Sequence, residues 1–258
     1  MSNELKFKIS HKETDDNSSE FVIKPLERGY GITVGNSLRR ALLTAVPGAA
    51  ITNVKIEGAL HEFSTLDGIK EDVADILMNL KAVRFHLFES VVEPIRLKIK
   101  GKKTFTAANI QAASNDFTIL NPDLYITDIA KDTTLEIELR LGIGKGYKSS
   151  EENTLNNSPV GIIPIDSIFN PVTKVTFNVS SLPGAKEDLE MLSLDVTTDG
   201  SITPIDAVSY CSSVLSEHYN IINSISNPSV LEIDKPVSEE ILQTRKLLES
   251  SIDEMELS

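Results

Sequence analysis

Cysteine occurs once in this chain, as Cys211, and tryptophan does not occur at all. A single thiol can build neither an intrachain disulfide nor a cysteine-based metal site, so a reducing compartment is expected. An excess of positive charge is also missing: 25 Lys and Arg stand against 38 Asp and Glu, for a net charge of -13. That balance excludes a chain that coats nucleic acid by charge alone, because phosphate binding needs clustered Lys and Arg. No stretch approaches the roughly 18 consecutive apolar residues of a membrane helix, and Met1 to Ser10 alternate charged and apolar residues. The chain reads as cytoplasmic, with no membrane partner.

Catalytic constellations are absent as well. His11, His61, His86 and His218 form no i,i+4 pair, so a zinc site is not expected. Ser37, Ser64 and Ser193 lack a G-x-S-x-G context, and no spaced set of carboxylates stands out for metal or acid–base work. Gly29, Gly31 and Gly35 lie between a strand and a helix, but their G-x-G-x-x-x-G spacing departs from the dinucleotide fingerprint and no parallel βαβ pattern follows. The run is expected to be a structural turn. Gly142, Gly144 and Gly146, with Lys145 and Lys148, likewise lack the Gly-Lys-Ser/Thr of a P-loop and read as a mobile basic hairpin. No cofactor, metal or catalytic residue is expected.

What the chain does have is a core: 40% of its residues are apolar, enough for one large or two ordinary domains. Period-2 alternation dominates, through Phe7 and Ile9, Phe21 and Ile23, Ile51 to Ile56, Ile95 to Ile99, Leu135 to Leu141, Val175 to Val179 and Leu192 to Val196. These runs predict half-buried antiparallel strands. Turn signals at Asn17-Ser18-Ser19, Asn121-Pro122-Asp123, Asn170-Pro171 and Asp199-Gly200 separate several of them. Asn109 to Asp123 and Tyr147 to Pro159 read as long loops.

Helical spacing appears three times: Gly35 to Val46, stopped by Pro47-Gly48; Asp67 to Lys81, with one stripe from Ile69 to Leu80; and Pro204 to Ile225, with Thr203 as N-cap. The last carries Val208, Cys211, Leu215, His218, Ile222 and Ile225 on one stripe, broader than a single sheet contact requires. Cys211 on that stripe is expected to be a small buried hydrophobe. The fold class is therefore α+β. From residue 227 onward eight acidic residues face three basic ones, which reads as a linker ending in a helix from Ser238 to Glu249.

The first helix is the most informative element. Leu38, Ala41, Leu42 and Ala45 make one apolar face, while Asn36, Arg40, Leu43 and Thr44 lie roughly 100° or more away. Two usable faces imply two partners; the plain alternative is a scattered surface leucine and a solvated charge. Only seven of the 25 basic residues are Arg, and Arg39-Arg40 is the only place where two are adjacent. Arg is favoured at interfaces for its planar fork of donors.

The run from Lys24-Pro25-Leu26-Glu27-Arg28-Gly29-Tyr30-Gly31 through Asn36-Ser37-Leu38-Arg39-Arg40-Ala41-Leu42-Leu43 closely resembles the signature of the bacterial RNA polymerase alpha-subunit family. It continues through Val54 to Gly58, Leu60-His61-Glu62-Phe63-Ser64-Thr65, Gly68 to Asp72 and Asn79-Leu80-Lys81. It returns at Gly144 to Tyr147, Asn170-Pro171-Val172 and Thr198 to Pro204. The resemblance spans about residues 5 to 228, the family's N-terminal assembly region.

It implies a dimerisation domain made from residues 1–47 and 171–228, with a β-rich domain inserted at 48–170, and a linker at 229–258. Leu38, Leu42, Val208, Cys211, Leu215 and Ile222 would face a second alpha subunit. Asn36, Arg40, Leu43 and Thr44, with Ser64 and Gly68 from segment 60–72, would dock the beta subunit, and Val172, Lys186 and Asp188 the beta-prime subunit. The chain departs from the family at Leu182, where an Arg is usual, and at Met191, where a Lys is usual. These changes imply either a divergent alpha that pairs with a different alpha, or drift compensated in beta-prime. Leu247 to Ser258 resembles the entrance to the family's C-terminal domain, which meets DNA and activators, so the chain reads as truncated there. Two rival readings stand beside this one: a dimeric adaptor outside transcription, and a small-molecule enzyme using the Gly29 to Gly35 run.

Overall fold

The computed structural model describes residues 8–88, 93–130, 133–154, 159–184, 188–223 and 225. The chain divides into two units, Met1–Ser213 and Val214–Ser258. The described residues of the first unit form two four-stranded sheets and three two-stranded ones, and the fourth helix begins in this unit.

β1 (Lys8–Asp15) and β2 (Ser18–Glu27) form a hairpin, followed by α1 (Tyr30–Thr44) and β3 (Pro47–Ile56). Then come α2 (Val73–Lys81), β4 (Phe85–Leu87), β5 (Ile95–Lys100), β6 (Lys103–Thr106), α3 (Ala107–Gln111), β7 (Phe117–Ile119) and β8 (Tyr125–Ile129). β9 (Thr134–Lys145), β10 (Tyr147–Lys148), β11 (Ile162–Pro164) and β12 (Ser167–Ile168) complete the middle of the chain. β13 (Val172–Ser181), β14 (Leu189–Thr198) and α4 (Pro204–Asn223) close the order.

The first sheet, in the order β1-β2-β14-β13, joins the two ends of the chain in antiparallel pairs. Alternation puts Leu192, Leu194 and Val196 on its inner face, where α1 lays Leu38, Ala41 and Leu42. The second sheet, β11-β3-β9-β5, is also antiparallel. Its core combines Val54 and Ile56 of β3 with Ile137 and Leu139 of β9, covered by Ile76 and Leu80 of α2. Phe85 and Phe117 meet edge to face within it, 5.5 Å between centroids. The α+β class and the antiparallel sheets agree with the alternation read from the sequence.

Several boundaries differ. α1 starts at Tyr30 rather than Gly35, so Gly31 and Gly35 lie inside a helix and not in a turn. A Cβ on Gly31 would sit 2.6 Å from Val179 Cγ1, and one on Gly35 would sit 2.6 Å from the Phe177 ring. Close helix-to-sheet approach outweighs the poor helix propensity of glycine at both positions. α2 starts at Val73, not Asp67, because the Asp72 carboxylate caps it by accepting from the Asp75 N–H at 3.0 Å. Ile69 instead bridges to Ile129.

Asn109 to Asp123 is not a long loop: it contains the end of α3 and all of β7. The 142–146 glycines do not form a mobile hairpin either, since Gly142 and Gly144 lie in β9 paired with Ala50 and Gly48, and the Phe169 ring packs where a Gly144 side chain would be. Beyond Lys148, Asn153 is buried and donates to Ile165 O at 2.8 Å and Ser167 Oγ at 3.0 Å, tying this polar stretch to the core. The expected helix from Ser238 to Glu249 lies outside the described residues.

Candidate functional site

α1 begins without a side-chain cap of its own. Gly29, at φ 89°, turns the chain into the helix, and Glu190 of β14 supplies the missing acceptor. Its two carboxylate oxygens accept from the Gly29 and Gly31 N–H groups, each at 2.9 Å. An anion at a helix N-terminus is stabilised by the unpaired N–H groups and the helix dipole. Here the protein's own carboxylate fills the place that a ligand phosphate takes in a dinucleotide loop, which removes the physical basis for the small-molecule reading of the Gly29 to Gly35 run.

Two faces of α1 then separate. Leu38 and Leu42 are buried on the sheet, Leu42 completely. Asn36, Arg40 and Thr44 follow one another at four-residue steps along the exposed side, with Leu43 half-buried beside them. Ile32, 63% exposed, extends the same stripe by one turn. It escaped the sequence reading because the helix was expected to start three residues later; an apolar residue four before Asn36 was the available signal. Both arginines are exposed, but Arg39 Nε reaches across to Val175 O at 3.4 Å. The Thr44 hydroxyl donates to its own helix, to Arg40 O at 2.8 Å.

Segment 60–72 is held to the second sheet. Ser64 is half-buried; its Oγ accepts from the His61 N–H at 3.4 Å, and its carbonyl accepts from the Val73 N–H at 3.1 Å. Gly68, at φ 77°, adopts a left-handed conformation, and a side chain there would collide with the Thr133 hydroxyl. Glu71 anchors the segment to β8 by accepting from Tyr125 OH at 2.6 Å, Thr127 Oγ1 at 2.7 Å and the Asp128 N–H at 3.1 Å. Burial alone would raise its pKa, but these three donors and the Lys70 charge hold the Glu71 carboxyl at about 2. The Tyr125 phenol moves the other way, raised by burial and by the carboxylate it serves. Next to this clasp Leu60 and Phe63 are exposed, Phe63 by 79%.

The other expected site residues divide by burial. Val172 is buried and pairs with Thr198, so it cannot present its side chain to a partner. Asp188 is exposed and pairs with Arg28 at 3.1 Å; Lys186 lies outside the described residues. Leu38, Leu42 and Cys211, expected on a dimer face, are buried within their own chain. The reason is steric: the first sheet already covers that side of α1, and Ala207 and Cys211 fill the buried side of the first turns of α4. Burial, only partly offset by the nearby Lys145 charge, pushes the Cys211 thiol up to about 11, which makes it inert. Val208 and Leu215 are half-buried, while Ile222 is 61% exposed, as are Tyr219 and Ile225 to a similar degree.

Motif residues away from these faces serve the fold. Asn79 donates to Ile126 O at 2.9 Å, Leu80 is fully buried and Lys81 pairs with Asp166. Asp199 Oδ1 accepts from the Ser201 N–H at 3.0 Å and its hydroxyl at 2.6 Å, shaping the entrance to α4. Thr203 caps α4, its Oγ1 accepting from the Asp206 N–H at 3.1 Å. Among the described residues, no three His, Cys, Asp or Glu side chains cluster as metal ligands, and no helix is long and apolar enough to cross a membrane.

A family model described as the RNA polymerase Rpb3/RpoA insert domain matches residues 54–170. Curated relatives match nearly the whole chain. The DNA-directed RNA polymerase subunit alpha of Salinibacter ruber is 43% identical over 96% of this chain and 76% of its own length. That of Chloroherpeton thalassium is 43% identical over 93% and 74%, and that of Desulforudis audaxviator 44% identical over 93% and 76%.

Proposed function

The chain belongs to the bacterial RNA polymerase alpha-subunit family, and from that membership we propose how its surfaces are used. Its role is assembly within the transcription machinery, and its partners are other RNA polymerase subunits. This displaces the adaptor outside transcription. The beta subunit docks on the exposed stripe of α1, through Asn36, Arg40, Leu43 and Thr44, with Ser64 and Gly68 contributing through segment 60–72. The observation that carries this reading is the division of α1: one side is buried on its own sheet, and the other offers an exposed Arg40 beside a half-buried Leu43. A helix backed rigidly by a core presents its outer face with little entropy left to lose on binding.

Residues 1–47 and 171–228 form the dimerising part and 48–170 the inserted part. The dimer face uses Val208, Leu215 and Ile222, with Tyr219 and Ile225 added, while Leu38, Leu42 and Cys211 support it from inside. Such an interface buries on the order of 2,000 Å² or more and is rather apolar. The beta-prime subunit meets segment 172–192, where Asp188 is exposed and Val172 is buried beside an irregularity in the strand pairing; Lys186 belongs to the same segment.

Arg40→Ala tests the docking surface. Affinity for purified beta subunit is expected to fall at least about tenfold, as for an interface arginine anchor, with dimerisation and unfolding temperature unchanged. Unaltered beta binding would move the docking surface elsewhere.

A further inference from the structure

We propose that the groove beside segment 60–72 is a second anchoring point for the beta subunit, which lays an acidic, extended segment along it. The groove has a volume of about 990 Å³ and is lined by Gly68, Ile69, Lys70, Lys102, Lys103 and Asp128, among others. The inference rests on segment 60–72 facing the beta subunit, since that segment forms one wall.

Charge supports it first. Five of the chain's 25 basic residues fall between Arg96 and Lys103, with no acidic residue among them, in a protein of net charge -13. Arg96 and Lys98 are matched across the sheet by Glu138 and Glu136. Lys100 instead faces Thr134. Among the described residues, Lys100, Lys102 and Lys103 have no carboxylate partner. β5 is the edge of its sheet, and lysines on an edge strand discourage unwanted pairing. That role accounts for the alternating side chains of β5 and extends to Lys103 at the start of the edge strand β6, but Lys102 lies between the two strands, and both lysines line the groove.

Among the described residues lining the groove, the one carboxylate is already committed. Asp128 accepts from Thr104 Oγ1 at 2.7 Å and lies 3.5 Å from Lys70 Nζ, so Lys70 is engaged while Lys102 and Lys103 are left to act on an incoming anion. Lysine without arginine gives point charges and not a planar fork, which suits Asp and Glu side chains spaced along a strand. Single-stranded nucleic acid needs stacking platforms as well as charge; among the described residues the groove lining has no aromatic side chain, and the net charge of the whole chain opposes a polyanion. Continuity with the proposed docking segment favours the same partner on both.

The test is an equilibrium titration of the full chain with purified beta subunit at about 50 and about 300 mM salt, which changes screening strongly. Wild type is compared with Lys102→Glu/Lys103→Glu and with Arg40→Ala. The charge-reversed variant is expected to bind about tenfold more weakly at low salt and to lose most of the salt dependence, with its unfolding temperature unchanged. Arg40→Ala is expected to weaken binding while keeping most of that salt dependence. If the charge-reversed variant matches wild type at both salts while Arg40→Ala still weakens binding, the groove proposal is wrong and the α1 docking surface survives. If wild type does not bind beta at all, both fall. A short duplex DNA titrated in parallel adds one more outcome: DNA binding lost in the charge-reversed variant, with beta binding intact, would reassign the groove to nucleic acid and overturn the proposal.

Discussion

α1 and α4 carry similar apolar stripes in the sequence, yet they finish in different states. α1 spends its stripe on its own sheet, down to a completely buried Leu42. α4 buries Pro204, Ala207 and Cys211 at its start, but Tyr219, Ile222 and Ile225 at and beyond its other end stay exposed. An amphipathic pattern therefore states how much apolar surface a helix must hide and not where the cover comes from. The cover for α1 is intramolecular; the exposed apolar residues near the end of α4 are the ones a partner has reason to cover.

The sharpest way to break that contrast is to damage one stripe at a time. Leu42→Ala should cost about 2–5 kcal/mol of folding stability through the cavity it leaves, visible as a lowered midpoint in denaturant. Ile222→Glu should leave the folded secondary structure in place and abolish the dimer, since an unpaired charge buried at an interface costs several kcal/mol; sedimentation would show it. A dimer that survives Ile222→Glu would remove α4 from the interface.

Acid should expose the next weakness, at the Glu71 clasp. The folded carboxyl titrates at about 2, below its ordinary value of 4.5, so the unfolded chain binds the proton first as pH falls. The stabilisation is complete above about 4.5 and drains away as pH drops toward 2, amounting to at most about 3 kcal/mol. Glu71→Gln should flatten that part of the stability-versus-pH curve, and an unchanged curve would mean the clasp contributes little. A smaller effect belongs to Glu190→Gln, which keeps an acceptor but removes the charge at the α1 N-terminus. A loss of about 1 kcal/mol is expected, read by thermal unfolding, with beta affinity reduced less than by Arg40→Ala.

Long alternating strands were legible in the sequence because a buried face repeats every second residue, as in β9 and β14. β4, β7 and β12 have only two or three residues each, too few for a period to emerge, and this is why Asn109 to Asp123 read as a loop. The start of α1 was hidden by its glycines, whose use depends on Val179 and Phe177 arriving from about 140 residues away in the chain. A still longer separation, 161 residues from Gly29, concealed Glu190 as the helix cap. The exposed side of α1, with Asn36, Arg40 and Thr44, was legible in helical geometry. The intrachain burial of Leu38, Leu42 and Val172 depends on tertiary cover that the sequence does not display, whereas Cys211 is the small buried hydrophobe that its place on the stripe suggested.

The central claim is that this chain pairs through its open helix end and then captures the beta subunit. A native mass spectrum of the chain co-expressed with its beta subunit tests it most directly. The expected spectrum contains a complex of two alpha chains and one beta. A lone monomer beside unbound beta would contradict the claim.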